Sequence, residues 1–306
     1  MTTSGDAVLG IDIGGIGTKV SLLDSDGTLL GHDRAPTPRG GAAMAETAAQ
    51  LGLDLARTHR RTVVAAGAGV AGVVDDGVIV AASSSFSGWI GFPVRAAFEE
   101  RLQVPVVVDN DVNAFLVGEV RLGAARGARD ALGIALGTGV GGALWLDGEL
   151  YHGPRGAAGE IGHMPGFGEE PCTCGQKGHL ETLASGRGIA HRYAALGGAP
   201  LAQGAQEVAT RARAGDDLAV RVFHEAGAGV ARAALVVAAV LDVVDVVVGG
   251  GVAEAADLLT PGIEQLIAAE PPVSGRPMEV SFAALGPAAA SVGAATMADS
   301  LRQIRV

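Results

Sequence analysis

Short apolar runs separated by turn residues fill the first part of the chain. Residues 8–13 and 18–23 are mostly apolar, and the glycine-rich residues 14–17 lie between them. Residues 24–27 have the sequence Asp-Ser-Asp-Gly, which is typical of a hairpin turn, and lead into a third run at 28–32. This pattern predicts three consecutive antiparallel strands.

Predicted strands and helices alternate after this opening. The alanine-rich residues 42–59 and the stretch at 93–102 are predicted helices, and the apolar runs at 62–69, 78–81 and 105–108 are predicted strands. Such alternation favours an α/β fold with parallel strands.

The chain also contains an internal repeat. Residues 9–15 have an echo at 132–138, and each copy is followed by a glycine-rich turn, a strand and an Asp-Gly turn, at 26–27 and 147–148. Two copies of one unit predict two similar α/β halves, which we expect to face each other across a cleft. The alternative is chance likeness, since apolar strands that precede glycines resemble one another.

A third glycine turn, Gly249-Gly250-Gly251, ends a valine-rich predicted strand at 242–248 and precedes a helix predicted to begin near Glu254. Glycines at the carboxyl ends of buried strands let the backbone approach a ligand closely and present N–H groups to it. The three glycine turns together predict sites for phosphate or ribose.

Polar residues follow the apolar strand at 105–108. Asn110 and Asp111 would then lie where ligands of α/β sheets bind, and a carboxylate there could take the proton of a substrate hydroxyl during phosphoryl transfer. The alternative is a structural role, because Asp and Asn also cap helix N-termini and the residues from Val112 onward have a helical pattern.

The two cysteines of the chain lie in a cluster with histidines. Cys172, Cys174, His163 and His179 offer two thiolates and two imidazoles, a closed set suited to structural zinc. The alternative is two small buried cysteines and two surface histidines. Glu160 and Glu181 flank the histidines, so a metal there would fix both carboxylates and make them good acceptors for sugar hydroxyls.

Composition narrows the class of protein. The 306 residues include 22 Lys plus Arg and 33 Asp plus Glu, for a net charge of −11, and an acidic chain without a basic block argues against a nucleic-acid partner. Residues 233–241 form the most apolar run and are bounded by Arg232 and Asp242, too short to span a membrane. The absence of a basic signal-peptide region and of a disulfide framework predicts a soluble cytoplasmic protein.

These motifs together resemble the ROK family of sugar kinases, within the actin-like ATPase and hexokinase superfamily. The resemblance runs from about residue 8 to residue 298, and is carried by residues 9–24, 87–94, 106–119, 133–148, 157–165, 172–186 and 246–252. It implies two actin-like ATPase (ribonuclease H-like) domains that face each other across a cleft. The smaller would comprise residues 1–115, completed by a C-terminal helix at 287–306, and the larger residues 116–286.

The resemblance also implies an activity, the ATP-dependent phosphorylation of a hexose, commonly at its 6-hydroxyl. Asp111 would be the general base, and Asp12 would lie near a magnesium ion. The sugar-binding positions are Asn110, Asp111, Glu160, His163, Glu181 and Ser85. The ATP-binding positions are Asp12, Gly14, Gly15, Gly17, Thr18, Gly137, Thr138, Gly139, Gly141, Gly250 and Gly251. His163, Cys172, Cys174 and His179 would bind structural zinc, and members of the family favour a homodimer.

Three positions depart from the family pattern. His179 stands where many members have a third cysteine, and histidine is still a competent zinc ligand. Ile16 replaces the usual Thr or Ser of the first phosphate turn, so we expect Thr18 or Thr138 to compensate for the lost hydroxyl. Ser85 stands where a sugar-contacting Asn is usual, and this change bears on the choice of sugar.

Glucose is the first expected substrate, and N-acetylmannosamine, N-acetylglucosamine and fructose are the alternatives. A polyphosphate donor would suit the spacing of Gly14, Gly15 and Lys19, although the cysteine-containing segment argues against it. A sugar-responsive repressor would need a DNA-binding segment before residue 8, where only about seven residues stand. A catalytically silent sugar-binding protein would account for Ile16 and Ser85.

Overall fold

The computed structural model describes residues 5–82 and 86–302, and these divide into two compact units. The first unit comprises the described parts of Met1–Gly127, Leu150–Ala158 and Ala284–Val306, and the second comprises Ala128–Glu149 and Gly159–Ala283. The chain therefore passes from one unit to the other four times. The first unit extends beyond residue 115, the boundary expected from sequence, because the helix that begins at Asp111 packs on the C-terminal helix.

A five-stranded sheet forms the centre of the first unit. The strands of the unit are β1 (Gly5–Ile13), β2 (Gly17–Asp24), β3 (Leu29–Pro36), β4 (Arg61–Val70), β5 (Val73–Asp75), β6 (Val78–Ala81) and β7 (Val106–Asn110). The sheet order is β3-β2-β1-β4-β7, with β5 and β6 as a separate hairpin. β1 and β3 are antiparallel to β2, whereas β4 is parallel to both β1 and β7. The prediction of three antiparallel opening strands is confirmed.

Helices cover both faces of this sheet. They are α1 (Gly41–Thr58), α2 (Val94–Leu102), α3 (Asp111–Leu122) and the C-terminal α9 (Ala289–Arg302). α9 packs on β1 and β4 so closely that a Cβ at Gly10 or Gly67 would lie 1.8 Å from a backbone oxygen of α9. Glycine at these two positions therefore lets a small-residue helix lie directly on the strands that lead to the site.

The buried carboxylate of Glu119, near the end of α3, joins two connecting segments. It accepts the backbone N–H of Ala124 at 2.7 Å and those of Ala284 and Leu285 at 3.0 Å each. Residues 124 and 284 lie close to the points where the chain leaves the first unit and returns to it. Glu119 thus binds both connecting segments to the helix that begins at Asp111. Its burial is tolerated because backbone N–H groups surround its charge.

The second unit repeats the sheet of the first. Its strands are β8 (Ala131–Leu136), β9 (Val140–Leu146), β10 (Glu149–Leu150), β11 (Asp245–Gly249) and β12 (Glu279–Phe282), in the order β10-β9-β8-β11-β12. β8 is antiparallel to β9 and parallel to β11, as β1 is to β2 and β4. The internal repeat predicted from the glycine turns is therefore a repeat of topology.

The helices of the second unit are α4 (Leu180–Ala184), α5 (Gly186–Ala195), α6 (Ala205–Arg213), α7 (Asp217–Leu241) and α8 (Ala256–Ala269). Of the helices within the described residues, only α7 has the length and hydropathy that could cross a membrane. It packs on α4, α6 and α8, and buries Val222, Phe223 and Val230. It also carries Arg232, paired with Glu270, so the contacts of α7 are those of a core helix.

Candidate functional site

The first glycine turn, after β1, is held by hydroxyl groups. The backbone N–H of Gly14 donates to the carbonyl of Gly17 at 3.1 Å, and the Thr37 hydroxyl donates to the carbonyl of Gly14 at 2.8 Å. The hydroxyls of Thr18 and Thr37 lie 3.0 Å apart, and Thr18 is fully buried. The hydroxyl of Thr18 therefore supports the turn from within the fold and is not open to a phosphate. Ile16, in contrast, is 82% exposed.

Asp12, near the end of β1, is buried beside Lys19. The two residues are directly opposite in the β1–β2 pairing, and Lys19 Nζ donates to Asp12 Oδ2 at 3.1 Å. Burial raises the pKa of Asp12, and the charge of Lys19 opposes that rise. The structure thus makes Lys19 the partner of Asp12. One carboxylate suits magnesium, which retains several waters as ligands.

Asn110 and Asp111 lie at the junction of β7 and α3. The side-chain oxygen of Asn110 accepts the N–H groups of Val112 at 2.8 Å and Asn113 at 3.3 Å, so Asn110 caps α3. Its amide nitrogen donates to the carbonyl of Gly72 at 3.0 Å. Asn110 therefore has the structural role that the sequence left open, that of a helix cap. One N–H of its amide remains for a ligand.

Asp111, the first residue of α3, has unusual electrostatics. Burial and the nearby negative charge of Asp12 raise its pKa to about 7, and the backbone N–H of Val112 opposes that rise. The carboxyl group is thus poised between its two protonation states near neutral pH. A group of this kind at the carboxyl end of a strand is well suited to accept a proton.

Asp109 and His152 form a pair beside Asp111 that the sequence did not indicate. Asp109 Oδ1 accepts the side-chain N–H of Asn113 and the backbone N–H of Asn110, both at 2.7 Å. Asp109 Oδ2 lies 2.6 Å from His152 Nε2, and this hydrogen bond raises the pKa of His152. The two residues are 43 positions apart in the chain, and only the path of residues 150–158 brings them together.

In the second unit, the four predicted metal ligands lie together. Their ligand atoms are all within 4.8 Å of one another. His163 Nδ1 lies 3.3 Å from His179 Nδ1 and 3.7 Å from Cys172 Sγ, and His179 Nδ1 lies 3.3 Å from Cys174 Sγ. Two atoms bound tetrahedrally to one zinc ion lie about 3.3–3.8 Å apart. The donor set and its spacing therefore fit zinc.

Glu181 connects this cluster to the second glycine turn. Its Oε1 accepts from the Thr173 hydroxyl at 2.8 Å and from Arg187 at 3.2 Å, and its Oε2 accepts the backbone N–H of Val140 at 3.2 Å. Oε2 also lies over Gly139, where a Cβ would come within 2.3 Å of it. The carboxylate predicted to bind sugar thus holds the metal loop and the turn together.

The second and third glycine turns follow the neighbouring parallel strands β8 and β11. The N–H of Gly137 donates to the carbonyl of Gly139, and the N–H of Gly186 donates to the carbonyl of Gly137, both at 2.9 Å. Gly250, with φ of 88°, lies against Leu136, and a Cβ there would be 2.5 Å from the Leu136 carbonyl oxygen. Two of the predicted phosphate or ribose turns are therefore adjacent in this unit.

The remaining predicted residues are distributed as follows. Thr138 is exposed on the second turn, Gly141 is half-buried on β9, and Glu160 is exposed beside the short helical turn that carries His163. Ser85 lies outside the described residues. The structure also identifies Thr37 as a support of the first turn. It follows Pro36, which pairs with Gly17, and this pairing is not visible in the sequence.

Comparison with known proteins gives consistent matches along the chain. Residues 8–300 match the model of the ROK family. A glucokinase of Halalkalibacterium halodurans is 35% identical over 278 residues, which cover 84% of each chain. An N-acetylmannosamine kinase of Shigella flexneri is 33% identical over 269 residues, which cover 86% of this chain and 89% of that one.

Solved structures match in fold as well. A ROK family glucokinase from Streptomyces griseus, in complex with glucose and AMPPNP, has a TM-score of 0.83 and is 30% identical, covering 96% of this chain and 99% of that one. A ROK hexokinase from Thermus thermophilus has a TM-score of 0.81 and is 31% identical, covering 97% and 99%. The actin-like ATPase fold expected from sequence is confirmed.

Proposed function

This chain belongs to the ROK family, and we propose that it transfers the terminal phosphate of ATP to a hydroxyl group of a hexose, with glucose as the first expected substrate. The observation that carries the proposal is the position of Asp111 at the junction of β7 and α3, where burial and the charge of Asp12 raise its pKa to about 7. The glucokinases and N-acetylmannosamine kinases at 32–35% identity support a sugar kinase.

The reaction we propose is a direct transfer. Asp111, ionised, accepts the proton of the sugar hydroxyl while the hydroxyl oxygen attacks the γ-phosphorus of ATP. The bond from that phosphorus to the β–γ bridging oxygen breaks, and ADP leaves. Catalysis of this kind depends on orientation and on stabilisation of phosphate charge.

The first unit would provide the base and one phosphate turn. The N–H groups of Gly15 and Ile16 would bind phosphate oxygens, since the shape of the turn is already fixed by Thr37 and by the hydrogen bond from Gly14 to Gly17. Asp12 would hold a magnesium ion through water, and that ion neutralises phosphate charge when bound. Lys19 donates a hydrogen bond to one carboxylate oxygen of Asp12, which leaves the other oxygen to bind a water ligand of the magnesium ion.

The second unit would provide the remaining ligand-binding groups. We propose that the turns at 137–142 and 249–251 bind nucleotide, and that Glu160, His163 and Glu181 bind sugar hydroxyls. His163, Cys172, Cys174 and His179 would hold zinc in a structural role. We also expect the protein to be a homodimer, as the family resemblance implies, and to act in the cytoplasm.

A second candidate is an N-acetylmannosamine kinase. The relatives of that name are 33% identical to this chain, close to the 35% of the first glucokinase. An N-acetyl group at C2 changes the shape of the sugar but leaves the 6-hydroxyl free, so the same base would serve. The difference between the two candidates therefore lies in the sugar and not in the chemistry.

A coupled assay of ADP release tests the function. We expect turnover with ATP and glucose at a higher kcat/KM than with N-acetylmannosamine, N-acetylglucosamine or fructose, and little turnover with polyphosphate as donor. The Asp111→Asn variant, purified identically, controls for contaminating kinases. Absence of turnover with every hexose would refute the kinase and favour a silent sugar-binding protein.

The pH dependence of turnover reports on the proposed base. Because Asp111 must be ionised to accept a proton and its pKa is about 7, we expect kcat/KM to fall about tenfold per pH unit below pH 7 and to level off above it. Initial rates between pH 5 and 9 measure this. An acid limb near pH 4, the ordinary value for aspartate, would contradict the assignment.

A further inference from the structure

The end of β7 is held by Asp109 from three directions. One carboxylate oxygen binds the backbone of the next residue and the side chain of Asn113 in the first turn of α3, and the other binds His152. The Asp109 side chain is 16% exposed, and that of His152 is 48% exposed. The network thus surrounds the junction from which Asp111 extends, without using the Asp111 carboxylate.

His152 comes from a separate part of the chain. Residues 150–158 are assigned to the first unit, while the residues on either side of this segment belong to the second. The segment forms a loop closed by a 3.0 Å hydrogen bond from the Ala158 N–H to the His152 carbonyl, with positive φ at Gly153 and Gly156. His152 is therefore the side chain by which this loop is hydrogen-bonded to the end of β7.

We propose that His152 is a positioning residue for Asp111, which acts through Asp109 to fix the first turn of α3 and hence the direction of the Asp111 carboxylate. This inference rests on the proposed function. The contact needs a ring nitrogen that donates toward a carboxylate, and the hydrogen bond to Asp109 favours the protonated imidazole.

We expect loss of the contact between His152 and Asp109 to change the orientation of Asp111 more than the free energy of unfolding. A half-exposed ion pair contributes little to the free energy of folding, because water screens it. Misorientation of a proton acceptor, in contrast, lowers the rate of the step it assists. Removal of the imidazole should therefore lower kcat while leaving ATP binding by the glycine turns intact.

The test compares His152→Ala with His152→Gln, which retains a side-chain N–H donor, and with His32→Ala, an exposed histidine of the same unit. We expect kcat to fall about 10- to 30-fold in His152→Ala, to recover in part in His152→Gln and to stay unchanged in His32→Ala, with KM for ATP within twofold throughout. Asp109→Asn should add little to His152→Ala, because the contact with His152 is already lost and the asparagine oxygen can still accept the N–H groups of Asn110 and Asn113. Equal kcat in all three histidine variants would overturn the proposal.

A second readout does not depend on turnover. The carboxyl carbon of Asp111, followed by NMR, should titrate near pH 7 in the folded wild type and move toward its ordinary value in His152→Ala. An unchanged titration in a folded His152→Ala would overturn the positioning role even if the wild type phosphorylates no sugar. Failure of the wild type to turn over any hexose would instead refute the proposed function.

Discussion

Replacement of Asp111 by asparagine is expected to lower kcat about 10³-fold or more, while the KM values for ATP and sugar stay within about threefold. Asparagine has nearly the same size and can still contact a hydroxyl, but its amide cannot accept the proton that the sugar loses. The loss should therefore fall on the chemical step. Steady-state rates of the purified variant, with ADP release as the readout, measure it.

Asp33→Asn, at an exposed position on β3, is the matched control, since it makes the same chemical change away from the site. We expect it to turn over at the wild-type rate. An Asp111→Asn variant that retains more than a tenth of wild-type kcat would show that another group accepts the proton. Binding of sugar by the inactive variant, measured by calorimetry, separates lost chemistry from lost structure.

Asp111→Asn should also be more stable than the wild type above neutral pH. A carboxyl group whose pKa is raised from 3.8 to about 7 costs stability as pH rises, because the folded state holds a proton that the unfolded state has released. The gain from asparagine should grow between about pH 4 and pH 7 and then stay constant, at about 4 kcal/mol. Denaturant unfolding at pH 5 and pH 8 measures this difference.

Sequence alone predicted the strands that lead to the site because each is a short apolar run ended by glycine or by Asp and Asn. β1, β2, β4 and β8 lie where their patterns predicted, since burial on both faces demands continuous apolar residues. The division between units was harder to predict. It depends on α3 packing against α9, two helices separated by more than 160 residues, and no local pattern encodes that contact.

Site residues were likewise predicted where a local pattern identifies them, and were missed where their role depends on a contact between distant parts of the chain. The four metal ligands were found because their residue types and short spacing constrain each other. His152 was missed because its partner Asp109 is 43 residues away in the chain, and a lone histidine near glycines carries no signal. Thr37 was missed for a similar reason, since its role depends on the pairing of β2 with β3.

The carboxylates of Asp109 and Glu119 hold the two ends of α3 by hydrogen bonds, and no sequence motif predicts either set of contacts. Asp109 fixes its first turn, and Glu119 fixes its last turn to the segments at 124 and 284–285. The segments that Glu119 binds lie near the first and the last of the chain connections between the units. The helix that begins with the proposed base therefore also binds two of these connections through Glu119. Substitutions of Glu119 should accordingly be tested for effects on turnover.

Removal of one metal ligand is expected to have the largest effect on stability. In the wild type we expect about one zinc per chain, and in His179→Ala we expect the zinc to be lost and the free energy of unfolding to fall by about 3–5 kcal/mol or more. His179 is buried at the N-terminus of α4, two residues before Glu181, so its replacement removes a zinc ligand from within the fold. Elemental analysis and denaturant unfolding measure the two effects.

His191→Ala is the matched control, because it removes an exposed histidine of the same unit that lies outside the cluster. It should retain zinc and wild-type stability. A chelator should lower the stability of the wild type and of His191→Ala but not that of His179→Ala, which has no metal to lose. Equal unfolding curves for wild type and His179→Ala, with zinc absent from both, would show that two cysteines and two histidines pack together here without a metal.

Because Glu181 binds Thr173 and Val140 at once, zinc loss should also weaken nucleotide binding at the second glycine turn.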